Sequence, residues 1–139
     1  MLKASEKAKQ MLKAVEDVID AYCKQCALSA SCVDMAQAAL FLANDGTCPL
    51  TGNVILTPLQ NRQVMALMMS CGTYESAGEI AFKVGLPIKT GVGGGVLAVV
   101  PGFGTVCAWS PRLDSAGNSV AGLKVLELFT ASTGASVFA

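Results

Sequence analysis

The chain has 139 residues, 53% of them apolar and 14% charged, with ten basic and ten acidic side chains and no histidine. One domain of this length buries roughly two-thirds of the surface that its unfolded chain exposes, so a single domain over residues 1–139 with a sizeable core is expected. Zero net charge leaves no electrostatic footprint for nucleic acid or an anionic membrane, and no run approaches the ~20 apolar residues of a membrane span.

A neutral, apolar chain is prone to associate with itself, so a homo-oligomer is expected. The lack of histidine removes the commonest general base and the commonest metal ligand together. Neither a metal nor a cofactor is expected. Six cysteines, Cys23, Cys26, Cys32, Cys48, Cys71 and Cys107, are scattered through a chain that is neither short nor loop-rich. They read as reduced, mostly buried thiols of a cytoplasmic protein. The charged, helical N-terminal stretch is unlike a secretory signal.

Residues 1–27 read as a helix with Leu12, Val15, Ile19 and Tyr22 along one face and Lys3, Lys7, Lys13, Glu16 and Asp17 on the rest. Cys23-Lys24-Gln25-Cys26 has no second Cys-x-x-Cys and no histidine at ligand spacing, so it is assigned to packing rather than to zinc or redox chemistry. Ser31 is placed to cap a second helix over 32–43, which Asn44-Asp45-Gly46 stops. Thr57-Pro58 opens a third helix reaching about Met69, with Leu59, Val64, Leu67 and Met68 on its expected core side.

Ser70–Tyr74 reads as an irregular link, and Ala77–Val84 as a short helix or extended segment. A glycine-rich loop then feeds a strand over Val96–Val100. Pro101-Gly102-Phe103-Gly104 turns the chain into a second strand over Thr105–Trp109, making a hairpin. Asn118 or Ser119 caps a last helix of about 120–132, with Val120, Leu123, Leu126, Leu128 and Phe129 as its apolar face and Gly134 at its end. Helices, then an antiparallel hairpin, then a covering C-terminal helix make an α+β fold.

Gly91-Val92-Gly93-Gly94-Gly95 is not a P-loop, because Lys89 precedes the glycines and no Lys-Ser/Thr closes them. A strand rather than a helix follows, which also excludes a dinucleotide fingerprint. On the residues alone, a tight turn at a sheet edge accounts for it.

Its setting adds more. The runs are Leu42-Ala43-Asn44-Asp45-Gly46, Pro49-Leu50-Thr51-Gly52, Ser70-Cys71-Gly72-Thr73-Tyr74, Gly85-Leu86-Pro87-Ile88-Lys89-Thr90-Gly91-Val92-Gly93-Gly94-Gly95, Val99-Val100-Pro101, Trp109-Ser110-Pro111 and Gly117-Asn118-Ser119. Taken in that order, they resemble the serine-dependent glutaminase family, from about Ala21 onward. Those enzymes hydrolyse L-glutamine to L-glutamate and ammonia, and their fold is similar to that of the β-lactamase-like, penicillin-recognising enzymes.

The resemblance implies a partial β-lactamase-like fold in which Lys89-Thr90-Gly91 looks like the Lys-Thr-Gly element. It implies that the backbone N–H of Val92 serves the oxyanion, that Tyr74 takes part in proton transfer, and that Tyr22, Lys89, Thr90 and Gly91 meet the substrate. Residues 1–20 match nothing in these motifs and read as an altered or engineered helix.

The family's nucleophile is a serine in Ser-x-x-Lys, and no serine here has lysine three positions on; Ser5, for instance, has Ala8 there. Ser70, Ser76 and Thr90 are the fallback candidates. The resemblance therefore implies the later half of a glutaminase domain that is silent alone. The alternative is a non-catalytic fragment, engineered scaffold or self-assembling module derived from one.

Overall fold

The computed structural model describes residues 4–139. The expected helix start at residue 1 and Lys3 lie outside the described residues, as does the side chain of Ser5. The chain divides into two compact units, residues 1–30 and residues 31–139.

The first unit is one helix, α1 (Ala4–Cys26), built from the strong helix formers Ala, Lys, Glu and Met. Lys24 and Asp20 pair across one turn at 2.5 Å. Leu12, Val15, Ile19 and Tyr22 form the expected stripe, and every one of them is more than half exposed.

The second unit holds α2 (Cys32–Ala43), α3 (Pro58–Cys71), a 3₁₀ turn (Tyr74–Ser76), α4 (Ala77–Val84), β1 (Ile88–Thr90), β2 (Gly95–Val100), β3 (Gly104–Trp109) and α5 (Val120–Thr133). The helices begin where their caps dictate. Ser31 Oγ accepts from Asp34 N while the Asp34 carboxylate accepts from Ser31 N at 2.8 Å, a reciprocal box; Thr57 and Gln60 repeat it at α3. Ser119 caps α5, and Gly134 ends it in the left-handed conformation (φ 70°).

The three strands form one antiparallel sheet in the order β1-β2-β3. Ile88 pairs with Ala98 and Thr90 with Val96; Leu97 pairs with Cys107 and Ala98 with Val106. Helices cover both faces. Val96, Ala98 and Val100 point to a cluster with Ile80, Val84, Leu86, Ile88 and Leu126. Val99 points the other way, to Ala39, Leu42, Ala43 and Met68. Strand β2 is thus apolar on both sides, which is why it reads as an unbroken Val-Leu-Ala-Val-Val run rather than an alternating one.

The α+β class stands, with three departures in detail. Strand β1 falls where a loop is expected; three residues between Pro87 and Gly91 are too few to show a period. On α3, Leu59 and Leu67 are exposed, and the core stripe is Asn61, Val64, Met65 and Met68. The polar Asn61 sits in that stripe because its Nδ2 donates to Leu42 O at 2.9 Å, holding the end of α2. None of the six cysteines is buried: Cys23, Cys26 and Cys71 are exposed, and the others are half-buried.

The Ser31 hydroxyl and backbone N–H hold the Asp34 carboxyl below the ordinary carboxylate range. A depressed folded value means that the stabilisation is complete above the unfolded carboxylate's ~3.9 and is lost as pH falls through the folded value. An Asp34→Asn variant should therefore have a lower urea midpoint than the parent at pH 6, by an amount that stays constant down to about pH 5 and shrinks in stronger acid.

Candidate active site

Two close approaches of backbone build the site. Helix α3 ends as Gly72 N donates to Met68 O, and strand β1 seats directly on Gly72. A Cβ on Gly72 would lie 1.8 Å from Ile88 O, so only glycine fits there. Thr90 N donates to Gly72 O at 3.0 Å, fixing the register of β1 against the end of α3.

The chain then passes through buried Thr73 to Tyr74, which takes the left-handed conformation (φ 55°) and stays 41% exposed. This conformation costs a non-glycine residue about 1–3 kcal/mol and concentrates at functional sites.

Lys89 points from β1 toward the ring of Tyr74, with Nζ 5.0 Å from its centroid. Nζ also donates to the carbonyl of Thr90. Thr90, next along the strand, points the opposite way. Its side chain is 2% exposed, and its hydroxyl donates to Asn118 Oδ1 at 2.6 Å. Asn118 is wholly buried; its Nδ2 donates to Thr73 O at 3.2 Å and its backbone N–H to Asp114 Oδ1 at 2.8 Å. One carboxamide therefore binds the residue before Tyr74 and the residue after Lys89.

The glycine loop is the turn between β1 and β2. Gly94 N donates to Gly91 O at 2.9 Å and Gly91 N to Gly95 O at 3.0 Å. The turn is pinned from outside by Trp109 Nε1, which donates to Gly93 O at 2.7 Å, and by Ser110 N, which donates to Gly94 O at 3.0 Å. Gly94 (φ 95°) cannot carry a Cβ, which would sit 2.3 Å from Ser110 O.

Val92 is at the crest of the turn, with its side chain 71% exposed. Its N–H donates to no group among the described residues. Gly117 brings the parts together: a Cβ built there would lie 3.4 Å from Val92 Cγ1 and 3.8 Å from Tyr74 Cε2.

Tyr74, Lys89, Gly91 and Val92 thus share one surface. Thr90 lies beneath it, facing the core. Tyr22 belongs to the first unit, on an exposed part of α1. Among the fallback nucleophiles, the Thr90 hydroxyl is spent on Asn118, and Ser70 Oγ donates to Ala66 O within its own helix at 2.9 Å. Sequence reading used Asn118 only as a motif member or a helix cap; its clamping role depends on partners 28 and 45 positions away.

The surface is open. A half-open cleft of about 330 Å³ lies elsewhere, between α4 and α5, lined by Lys83, Asp114 and Glu127 among others. There Glu79 holds the Lys83 ammonium above its ordinary range, and Lys124 holds the Glu127 carboxyl below its own.

The sequence matches the glutaminase family model over residues 1–138, a span that takes in α1. The chain belongs to the glutaminase family. It is 55% identical to a Paraburkholderia phytofirmans glutaminase over 123 residues, covering 88% of this chain and 40% of that protein. It is 52% identical to a Pseudomonas fluorescens glutaminase over 124 residues, covering 89% of this chain and 41% of that one.

Among solved structures, a Bacillus subtilis glutaminase in covalent complex with 5-oxo-L-norleucine superposes with a TM-score of 0.85 at 33% identity, over 89% of this chain and 45% of that chain. The chain thus spans about 40% of the length of the curated relatives that it matches. Its α+β architecture is shared with the corresponding part of a glutaminase.

Thr90→Val keeps the shape of the buried side chain but leaves Asn118 Oδ1 without its donor. It should destabilise the chain by about 1–3 kcal/mol in urea unfolding, while Thr90→Ser stays close to the parent. Gly72→Ala should be worse than either, since its clash is with backbone.

Proposed function

We propose that this chain carries the oxyanion side of a glutaminase active site, for hydrolysis of L-glutamine to L-glutamate and ammonia, and that it is silent by itself. The observation that carries the reading is the Gly91–Gly94 turn, which presents an unpaired Val92 N–H beside Tyr74 with Lys89 over the ring.

In amide hydrolysis the attacked carbonyl oxygen becomes an oxyanion. A donor fixed in place before the reaction stabilises that charge more than it does the neutral carbonyl, typically by about 3–4 kcal/mol. Val92 N–H is that donor in this reading, and the pinning of the turn by Trp109 and Ser110 removes the cost of aligning it. Tyr74 OH relays the proton that the leaving ammonia must gain. Lys89 sets a positive charge beside the developing negative one.

Gly91 lets the substrate approach the backbone, and Thr90 acts from below by holding β1 to Asn118. The serine that attacks and the lysine that activates it, in Ser-x-x-Lys, come from outside this sequence. A cytoplasmic site and a homo-oligomeric state belong to the same reading. The first is supported by six free thiols and the second by the exposed apolar stripe of α1.

The reagent 6-diazo-5-oxo-L-norleucine forms a covalent complex with the Bacillus subtilis glutaminase. The purified chain should release no ammonia from glutamine and take up no adduct from this reagent by mass spectrometry. Spliced in place of the matching segment of the Paraburkholderia phytofirmans glutaminase, it should hydrolyse glutamine. In that setting Val92→Pro, which deletes the N–H, should lower kcat about 10²–10³-fold, and Tyr74→Phe about 10²-fold or more. A folded chimera whose activity ignores both substitutions would sink the assignment. Light scattering of the chain alone should show a species larger than a monomer, and a single monomeric mass across concentrations would remove the oligomer from the reading.

A further inference from the structure

The geometry points to Cys32 and Cys107 as a redox-sensitive dithiol, whose sulfurs close into a disulfide that straps α2 to strand β3. Two contacts set the two elements antiparallel and in register. Gly102 N, in the turn before β3, donates to Ala43 O at the end of α2 at 2.8 Å. Further along, Thr105 Oγ1 donates to Ala36 O at 2.7 Å. Cys32 is one helical turn before Ala36, about 6 Å along the axis. Cys107 is two strand residues beyond Thr105, about 6.7 Å along, and therefore on the same face as Thr105.

The two steps match, so Cys32 comes to stand over Cys107. The sheet register agrees: Cys107 pairs with Leu97, which packs in the cluster with Ala39 and Leu42 of α2, whereas neighbouring Val106 joins the cluster on the opposite face. Burial raises the Cys107 thiol to about 11, helped by the charge of Cys32 and a thiol hydrogen bond with it. The unit's other two cysteines have other partners: Cys48 bonds with the Thr51 side chain, and Cys71 Sγ donates to Leu67 O within its own helix at 3.0 Å.

The chemistry assigns roles. Cys107 stays protonated at neutral pH, so Cys32 is the sulfur that attacks an incoming small-molecule disulfide. Its thiolate forms a mixed disulfide and expels one thiolate of the reagent. Cys107 then attacks the Cys32 sulfur of that mixed disulfide, and its proton leaves with the second reagent thiol. The balance is one disulfide consumed, two thiols released and two hydrogens lost from the chain. The closed loop contains α2, α3, α4, β1, β2 and most of β3, so the strap restricts the unfolded chain strongly and should raise the unfolding temperature.

The test equilibrates the full chain with mixtures of oxidised and reduced glutathione, alkylates the remaining thiols and maps the peptides by mass spectrometry. The expected product is a Cys32–Cys107 peptide pair lighter by two hydrogens, lost on adding dithiothreitol, together with a higher unfolding temperature. A variant with Cys23, Cys26, Cys48 and Cys71 changed to serine should give the same link, and Cys107→Ser should accumulate glutathione on Cys32. Glutathione on both sulfurs with no internal link, or Cys32 joined only to another cysteine, in the full chain would overturn the proposal. The outcome is independent of any glutaminase activity.

Discussion

The candidate site depends on one buried carboxamide. Asn118 accepts the Thr90 hydroxyl hydrogen at 2.6 Å and donates to Thr73 O at 3.2 Å, so strand β1, the segment entering Tyr74 and the turn before α5 meet at a single side chain. A side chain with no exposure cannot exchange these partners for water, so each broken bond carries the full desolvation penalty of the group left behind. The pair therefore gives specificity of arrangement as much as stability. It leaves one orientation of the Asn118 amide, one rotamer of Thr90 and one position for the carbonyl of Thr73.

Magnitudes show what holds Tyr74 in its left-handed conformation. That backbone costs about 1–3 kcal/mol. The cation–π contact with Lys89, at an exposed position, returns only about 0.5–1 kcal/mol. The contact alone does not offset the strain. The remainder comes from the buried residues on the N-terminal side: Thr73, gripped by Asn118 and accepting from Ser76 N at 3.2 Å, and Gly72, wedged against Ile88 O. Lys89 over the ring is then a consequence of where the backbone puts Tyr74, which leaves its charge free for the surface that it shares with Val92.

The helices were legible because their signals are local. Ser31 with Asp34, Thr57 with Pro58 and Gly134 each act within four residues, and α2 spans 32–43 as those signals imply. Strand β1 was not legible, because its identity comes from pairing with Val96 and Ala98 and from its seat on Gly72. The core stripe of α3 was misread for a related reason. Asn61 belongs in it only because Leu42 O, 19 positions earlier, needs a donor, while Leu59 and Leu67 look apolar enough to displace it.

At the site, the motif order singled out the loop and the tyrosine as candidates. It could not show that Lys89 and Thr90 part company. Adjacent residues on a strand face opposite ways, and a Lys-Thr-Gly string carries no mark of which faces in.

That parting explains why the register of a three-residue strand matters so much. Slipping β1 by one residue would turn Lys89 into the core beside Asn118 and Thr90 out toward Tyr74. The core would then hold an unpaired ammonium, and the surface would lose its charge. Two backbone bonds outside the strand pair prevent this. Val99 N donates to Pro87 O at 2.9 Å at one end, and Thr90 N donates to Gly72 O at 3.0 Å at the other. Beyond Thr90 the chain must turn at once, and the glycines let it do so while Trp109 and Ser110 hold the crest in place. The Val92 N–H thus inherits its position from the register of β1, and the register from Gly72 and Pro87. A substitution at Gly72 would disturb the Val92 N–H as surely as one in the loop itself.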